Sequence, residues 1–459
     1  MTDIQYIKAF QNNFTGNTIR QSWAFTTPER GYLFQPDNGT SVLLAEELVK
    51  EYINGYVSPE LEFRLAQRGF TAVKGRSTFT TPDIPRPTFF MIDLTRACTN
   101  RCAYCFRQLE QTAFIADEML ERITEYIILY CRDSGLRNIT VQPWGGEPLL
   151  AWGKIMQIQD KLEKQGIIPR ILIETNGVAV TKQIAQEAHR RGIKMSISID
   201  GPEEIHDRQR KLYNGQGSFR QARQGLEILR EYGYGHEVGC VCVITRNSLS
   251  YIREITEFLV SDLHFTRVKM NMVKDNPVMR EKGLCLREQE IPDFERTLLQ
   301  TVCDINRRGY SFGECNLIDR LHNLLTRRTI NFCNSRGCQA GNRMLSFGME
   351  GGIYPCDLTD EPGLRYGTVQ DSRDPCQLLH HQSTHFFRRK KENTGCTDCP
   401  WKIFCGGGCT TVRLRGNPGC IDTADCIRNR TLYPLLIDLI LNEPELIKSI
   451  TANEIEIRL

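Results

Sequence analysis

The 459-residue chain contains no run of about eighteen consecutive apolar residues, so no membrane-spanning helix is expected. Charge of one sign is not in excess either: Lys and Arg number 58 against 55 Asp and Glu, a surplus of 58 − 55 = 3, and no long run of either sign occurs. Composition therefore gives no argument for nucleic acid or an anionic membrane as partner. The opening MTDIQYIKAFQNNF lacks the basic segment, apolar stretch and small-residue cleavage site of an export signal, and a cytoplasmic location is expected. What the chain has in quantity is cysteine, 19 in all. In a chain without an export signal these do not read as a disulfide framework, because the cytosol keeps thiols reduced, and metal or cluster ligation is the alternative. Their distribution agrees: Cys98, Cys102 and Cys105 sit together, and most of the rest fall between Cys333 and Cys426 at short spacings, with Cys376 and Cys420 outside the pattern.

The pattern along the chain predicts an α/β protein of several parts. Residues 1–80 suggest a small α+β module, winged-helix-like in order: a strand at Gly31 to Phe34, then helix-like SVLLAEELVKEYI and SPELEFRLAQRG. In the second helix Ser58 suits the cap, Pro59 the first turn and Gly69 the left-handed exit. The Pro-punctuated residues 81–87 read as a linker. Across residues 88–273, six short runs rich in β-branched residues (FFMIDLT, ITVQPWG, RILIETN, KMSISID, EVGCVCVI and RVKMNMV) alternate with amphipathic helical stretches. That alternation predicts a partial (β/α)6 TIM-like barrel, with its chemistry on the loops after the strands' carboxyl ends. Ser218 is expected to cap one of the barrel helices. Residues 274–330 read as a helical connector, and residues 331–430 as a Cys- and Gly-rich domain held by clusters more than by an apolar core. Residues 431–459 end the chain, with the helix TLYPLLIDLILN expected to pack on the barrel.

Cys98, Cys102 and Cys105, followed by Phe106, place three thiolates in one tight loop at the end of the first barrel strand. Three ligands leave one iron of a 4Fe–4S cluster open to a small molecule, where such a cluster otherwise takes four cysteines; structural zinc is the alternative. The spacing CxxxCxxC with its following aromatic resembles the signature of the radical S-adenosylmethionine (SAM) superfamily. Gly145-Gly146-Glu147-Pro148 ends strand two, Thr175-Asn176-Gly177 strand three, and Ser198-Ile199-Asp200-Gly201 strand four, with His206-Asp207-Arg208-Gln209-Arg210 after it. Singly these are common turn sequences; in order, each at a strand's end, they fit the same family. The resemblance implies that Gly145, Gly146 and Glu147 bind the SAM amino group, Ser198 and Arg210 its carboxylate, and that Phe106 presents backbone to the adenine. Thr175, Asn176 and Asp200 fall among the implied cofactor-binding residues. It also implies the chemistry: one electron from the cluster cleaves SAM to methionine and a 5′-deoxyadenosyl radical, which abstracts hydrogen from a substrate.

The carboxyl-terminal array, Cys338, Cys356, then Cys396, Cys399, Cys405, Cys409 and Cys426, resembles the SPASM extension of radical SAM maturases. The resemblance implies two auxiliary 4Fe–4S clusters, making three in all. Cys333, Cys338, Cys356 and Cys409 would hold one, and Cys396, Cys399, Cys405 and Cys426 the other. Cys420 is the rival to Cys426, and zinc is the alternative for Cys396 and Cys399 as an isolated pair. Asp357 follows Cys356, and in the related sulfatase-maturing enzymes the matching Asp is thought to deprotonate the substrate; the plain reading is a turn cap. The implied activity is an oxidoreductase that modifies a precursor peptide, a maturase of ribosomally made peptides (RiPPs) forming a cross-link or related modification. Residues 1–80 would bind the leader, by strand addition, and a flavodoxin- or ferredoxin-type protein would supply electrons. A sulfatase-maturing oxidase making formylglycine is the second reading, and a non-catalytic iron–sulfur electron-transfer protein the third.

Overall fold

A computed structural model describes residues 3–7, 10–11, 18–19, 22–37, 39–70, 85–107, 109, 112–326, 328, 331–333, 337–357, 362–371, 376, 396, 399–415, 421–455 and 457. The chain forms two compact units. The first gathers residues 1–81, 287–338 and 392–459, and the second residues 82–286 and 339–391. Residues 331–430 are thus divided between the two.

The first unit begins with β1 (Asp3–Ile7), a two-residue pair β2 (Phe10–Gln11) and β3 (Thr18–Ile19), then β4 (Ser22–Thr26), β5 (Arg30–Gln35) and β6 (Thr40–Ala45). β1, β4, β5 and β6 lie side by side in that order, each pair antiparallel. Helices α1 (Glu46–Ile53) and α2 (Pro59–Gln67) follow. The helix expected over SVLLAEELVKEYI is therefore half strand. Residues 40–45 pair along the whole of β5, and the helix starts only at Glu46; the ladder overrides local preference. α2 is built as its residues require, with the Ser58 side chain accepting from the Leu61 amide, Pro59 in the first turn and Gly69 at φ +76°. Leu33, Leu44, Val49, Tyr52, Leu61, Leu65 and Phe70 form the module's core. Of the expected linker, residues 81–84 lie outside the described residues.

The second unit carries the barrel. Strands β7 (Phe89–Thr95), β8 (Asn138–Gly145), β9 (Ile168–Thr175), β10 (Lys194–Ser198), β11 (Gly239–Ile244) and β12 (Arg267–Met272) are joined in sequence order by parallel ladders. They match the six runs read from the sequence. Between them lie α3 (Asp117–Ser134), α4 (Trp152–Lys164), α5 (Lys182–Arg190), α6 (Glu203–Gln209), α7 (Phe219–Leu229) and α8 (Ile252–Ser261). Alternation sorts each strand's side chains. In β7, Phe90 packs edge-on against Tyr130 of α3 with ring centroids 5.8 Å apart, whereas Asp93 on the opposite face meets Arg107.

One cap is not as expected. Ser218 makes no capping bond to α7; its hydroxyl donates to the Arg210 carbonyl and meets Asn100 and His206, while the Asp207 carboxylate takes the Phe219 amide instead.

Beyond the barrel come α9 (Pro277–Glu281), α10 (Ile291–Arg307), the two-residue β13 (Gly313–Glu314) and α11 (Cys315–Leu325), so the connector is mainly helical as read. Then β14 (Met344–Phe347) pairs parallel with β7, and β15 (Gly352–Tyr354) and β16 (Gly367–Thr368) extend that edge antiparallel. The chain returns to the first unit as α12 (Lys402–Cys405), α13 (Thr410–Arg415), α14 (Thr423–Asn442) and α15 (Pro444–Ile450). The last long helix, expected on the barrel, packs within the first unit against α10, α15 and β5. An apolar core also does more for the Cys-rich segment than expected. Trp401 stacks on Phe34 at 5.6 Å and on Tyr433 of α14 at 5.0 Å, with Phe25 and Phe404 beside them. Among the described residues no helix is long and apolar enough to cross a membrane.

Candidate active site

The sequence-predicted motifs of the barrel converge at the carboxyl ends of β7 to β10, and the backbone explains two of the glycines. Gly145 has φ +137°, and a Cβ there would lie 2.1 Å from the Thr95 carbonyl oxygen; at Gly146 a Cβ would lie 2.2 Å from that of Ala97. Only glycine lets strand two press so closely on the start of the cysteine loop. The amides of Gly146 and Glu147 then donate to Thr95 and Ala97 at 2.7 and 2.8 Å.

Glu147 is 1% exposed, and its carboxylate is already engaged. Oε1 accepts from the Thr175 hydroxyl at 2.7 Å and the Leu149 amide at 3.2 Å, and Oε2 from the Asn176 amide at 2.8 Å. Burial pushes its pKa up, while those donors pull it back. Glu147 and Thr175 thus bind β8 to β9, a role the sequence did not disclose.

The cysteine loop is clamped from several sides. Cys98 Sγ accepts from the Asn100 amide at 3.4 Å and the Asn176 side chain at 3.6 Å, and Cys102 Sγ from Arg210 Nη1 at 3.9 Å. Backbone bonds from Arg101 to Lys211 (2.7 Å), Ala103 to Gln209 (2.8 Å) and Tyr213 to Thr99 (3.0 Å) lay residues 209–213 along the loop as a strap. Under the strap, Ser218 joins Asn100 to His206, whose Nδ1 accepts the Asp200 amide at 3.2 Å.

Burial pushes the Cys98 thiol up to about 12 and Cys102 to about 11, and each feels the charge of its neighbouring cysteines. Left alone these groups stay protonated; a bound cation deprotonates its thiol ligands outright. The gathered donors are all thiols, with N–H groups aimed at two of the sulfurs, which fits an iron–sulfur cluster. Among the described residues no three His, Cys, Asp or Glu side chains converge as ligands of a single ion would.

Arg210, 7% exposed, pairs with the wholly buried Asp200 at 3.0 Å. Ser198 ends β10 half-buried, and Phe106 is exposed just beyond Cys105. Next to Phe106, Arg107 forms a buried ion pair with Asp93. Asp357 lies in the same unit, partly buried; burial raises its pKa, opposed by the charges of Arg107 and Lys274. The residues missed in the sequence were Asn100, Tyr104, Arg107 and Asp93; a lone aspartate inside the apolar strand FFMIDLT was the available signal.

In the first unit, the Cys399 amide donates to the Cys396 carbonyl, Cys405 ends α12 and Cys426 lies in the first turn of α14. Cys426 feels the charges of Cys399 and Cys396, and Cys405 that of Cys426, so these four are neighbours. Cys338 and Cys356 are buried, Cys409 partly buried and Cys333 exposed; Cys338, Cys333 and Cys409 belong to the first unit and Cys356 to the second. Cys420 lies outside the described residues.

Comparison with known proteins agrees with this geometry. Residues 92–259 match the model of the radical SAM superfamily. The cysteine-type anaerobic sulfatase-maturating enzyme of Clostridium perfringens is 26% identical over 336 residues, 69% of this chain and 86% of that protein. The structure of anSMEcpe with bound AdoMet and the Kp18Cys peptide superposes with a TM-score of 0.66 at 20% identity, over 78% of this chain and all of that one. Streptococcus suis SuiB bound to its precursor peptide SuiA superposes at 0.53 and 17% identity, over 88% and 99%. With a matching domain model and the three-cysteine loop at the mouth of the barrel, residues 92–259 are a radical SAM domain and the chain is an enzyme that carries it.

Proposed function

We propose that this enzyme is a maturase that modifies a side chain of a ribosomally made precursor peptide, installing a cross-link or a related modification. The observation that carries the reading is the convergence of the three-cysteine loop with the ends of β8 to β10, in a chain whose similarity to sulfatase-maturating enzymes runs well beyond residues 92–259. Bound SAM, with a reduced cluster, supplies the power to remove a hydrogen atom from an unactivated carbon.

The chain's own residues do the rest. Cys98, Cys102 and Cys105 would hold the cluster, Arg210 and Ser198 would take the SAM carboxylate, and Gly145 and Gly146 would offer backbone to its amino group. Glu147 has one acceptor site left for that amino group after its three bonds in the protein. Thr175 and Asn176 hold Glu147 and the Cys98 sulfur in place, and Phe106 would present backbone to the adenine. Cys396, Cys399, Cys405 and Cys426 are assigned to one auxiliary cluster, and Cys333, Cys338, Cys356 and Cys409 to the other. A small iron–sulfur or flavin protein would deliver electrons.

The order of strands followed by helices in residues 22–67 supports leader binding there, with β1 at one edge of the sheet. The formylglycine reading is favoured by Asp357, whose carboxylate beside Cys356 suits removal of a substrate proton.

The test is anaerobic reconstitution with SAM and dithionite, offering either a candidate precursor peptide from any small open reading frame beside the gene or a sulfatase-derived peptide carrying Cys or Ser. Mass loss in the precursor, with fragments that fail to separate between two residues, is the expected result. An aldehyde trapped by hydrazide on the sulfatase peptide, with the precursor untouched, would establish the second reading instead.

A further inference from the structure

Tyr104 lies inside the cysteine motif, and no role has yet been given to its side chain. Its hydroxyl donates to Asp200 Oδ2 at 2.7 Å. The same oxygen accepts from Arg210 Nε at 3.0 Å and Gln209 Nε2 at 3.4 Å, and the other oxygen takes the Val243 amide at 2.9 Å. The Arg210 guanidinium lies over the Tyr104 ring, 5.4 Å from its centroid. Asp200 therefore has donors on both oxygens and is itself fixed to β11, while the guanidinium is held by a carboxylate at one edge and an aromatic face beneath. These contacts use Nε and one N–H of Nη1, the latter toward Cys102. The other N–H groups of Arg210 have no protein partner among the described residues. A buried arginine held on one side and with spare donors on the other is arranged for an anionic ligand, since its planar fork matches a carboxylate.

We propose that Tyr104 and Asp200 are positioning residues that hold the Arg210 guanidinium beside Cys102, ready for the carboxylate of SAM. The proposal rests on the assignment of Arg210 to that carboxylate. Tyr104 is part of the cluster loop, so the same residue ties the cluster's own loop to the group that orients SAM on it. A shift of the loop would carry the arginine with it.

The test compares Tyr104→Phe, Asp200→Asn and Arg210→Ala with the wild type. All are reconstituted anaerobically, then assayed for iron per chain, for the change in the EPR signal of the reduced cluster on titration with SAM, and for 5′-deoxyadenosine release against SAM concentration. Losing a hydrogen bond to a charged group raises the SAM concentration for half-effect roughly tenfold in Tyr104→Phe, with turnover recovered at saturating SAM. Asp200→Asn, which weakens both bonds, shifts it further, and iron per chain stays at the wild-type value in Tyr104→Phe. Unchanged SAM dependence in Tyr104→Phe, alongside a weakened Arg210→Ala, would overturn the positioning role alone. Wild-type SAM dependence in Arg210→Ala would overturn the carboxylate assignment and the proposal together. Iron loss in Tyr104→Phe in proportion to its activity would mark Tyr104 as structural only.

Discussion

The two cysteine-rich regions are held in place by different means. The loop at 98–105 is fixed by polar contacts: N–H groups aimed at Cys98 and Cys102, a backbone strap from 209–213, and a buried Ser–His–Asn network below. The segment at 399–426 is fixed by a stack of aromatic rings, with its cysteines at helix ends. The first arrangement sets the orientation of individual thiols. The second anchors a segment and leaves thiol placement to whatever the four cysteines bind. A site that must present SAM in one orientation needs the former; a site of full cysteine ligation can be completed by its cluster.

The sharpest way to break this comparison is to empty each region in turn. Cys98→Ala/Cys102→Ala/Cys105→Ala is expected to remove about four irons per chain and all 5′-deoxyadenosine release. Cys396→Ala/Cys399→Ala/Cys405→Ala should remove about four irons while SAM cleavage under dithionite persists. Equal loss of cleavage in both would mean that the two regions are not independent.

A smaller lesion tests preorganisation. Gly146→Ala places a Cβ 2.2 Å from the Ala97 carbonyl oxygen, against backbone that cannot yield, so the loop should fail to retain its cluster when iron is counted after desalting. Gly406→Ala, at φ +60° but with its nearest contact at 3.3 Å, should cost only about 1–2 kcal/mol and leave iron content unchanged.

Aromatic anchoring predicts a stability effect without a chemical one. Trp401, 5% exposed, should cost about 3–5 kcal/mol when truncated to alanine, read by denaturant unfolding. SAM cleavage per folded enzyme should hardly change.

The polar network predicts a pH effect confined to the barrel. Burial, helped by Arg210 and opposed by Asp200, lowers His206 to about 4 from an ordinary 6.5. Between those values the unfolded chain binds the extra proton, so stability falls as pH drops from 6.5 toward 4, by up to roughly 3 kcal/mol. His206→Gln should flatten that dependence; an unaltered slope in urea titrations across this window would show that His206 does not set it.

Much of this was legible in the sequence because the barrel's signals are local. Six apolar runs bounded by turn residues gave β7 to β12 nearly to the residue, and the cysteine spacing gave the loop. Where pairing across the chain decides, the residues misled: Ser41 to Ala45 read as helix beside a strong helical segment, yet they are a strand because β5 lies next to them. Ser218 has the right chemistry for a cap and the right position, but Asn100, 118 residues away, claims its hydroxyl. The part Glu147 plays in tying β8 to β9 was equally hidden, since nothing in Gly-Gly-Glu-Pro tells that the Thr175 hydroxyl and the Asn176 amide will bond its carboxylate.

The aromatic stack has a consequence for how the chain is made. Phe25 and Phe34 are synthesised before the barrel, but Trp401, on which both rest, and Tyr433, stacked on Trp401, are synthesised after it. The β7–β12 ladders, by contrast, lie within one continuous stretch. At synthesis rates of roughly 5–20 residues per second, the barrel's strands can pair roughly 8–32 seconds before the first unit can close. Until then the amino-terminal sheet holds an uncovered aromatic face, a window in which a chaperone would find it.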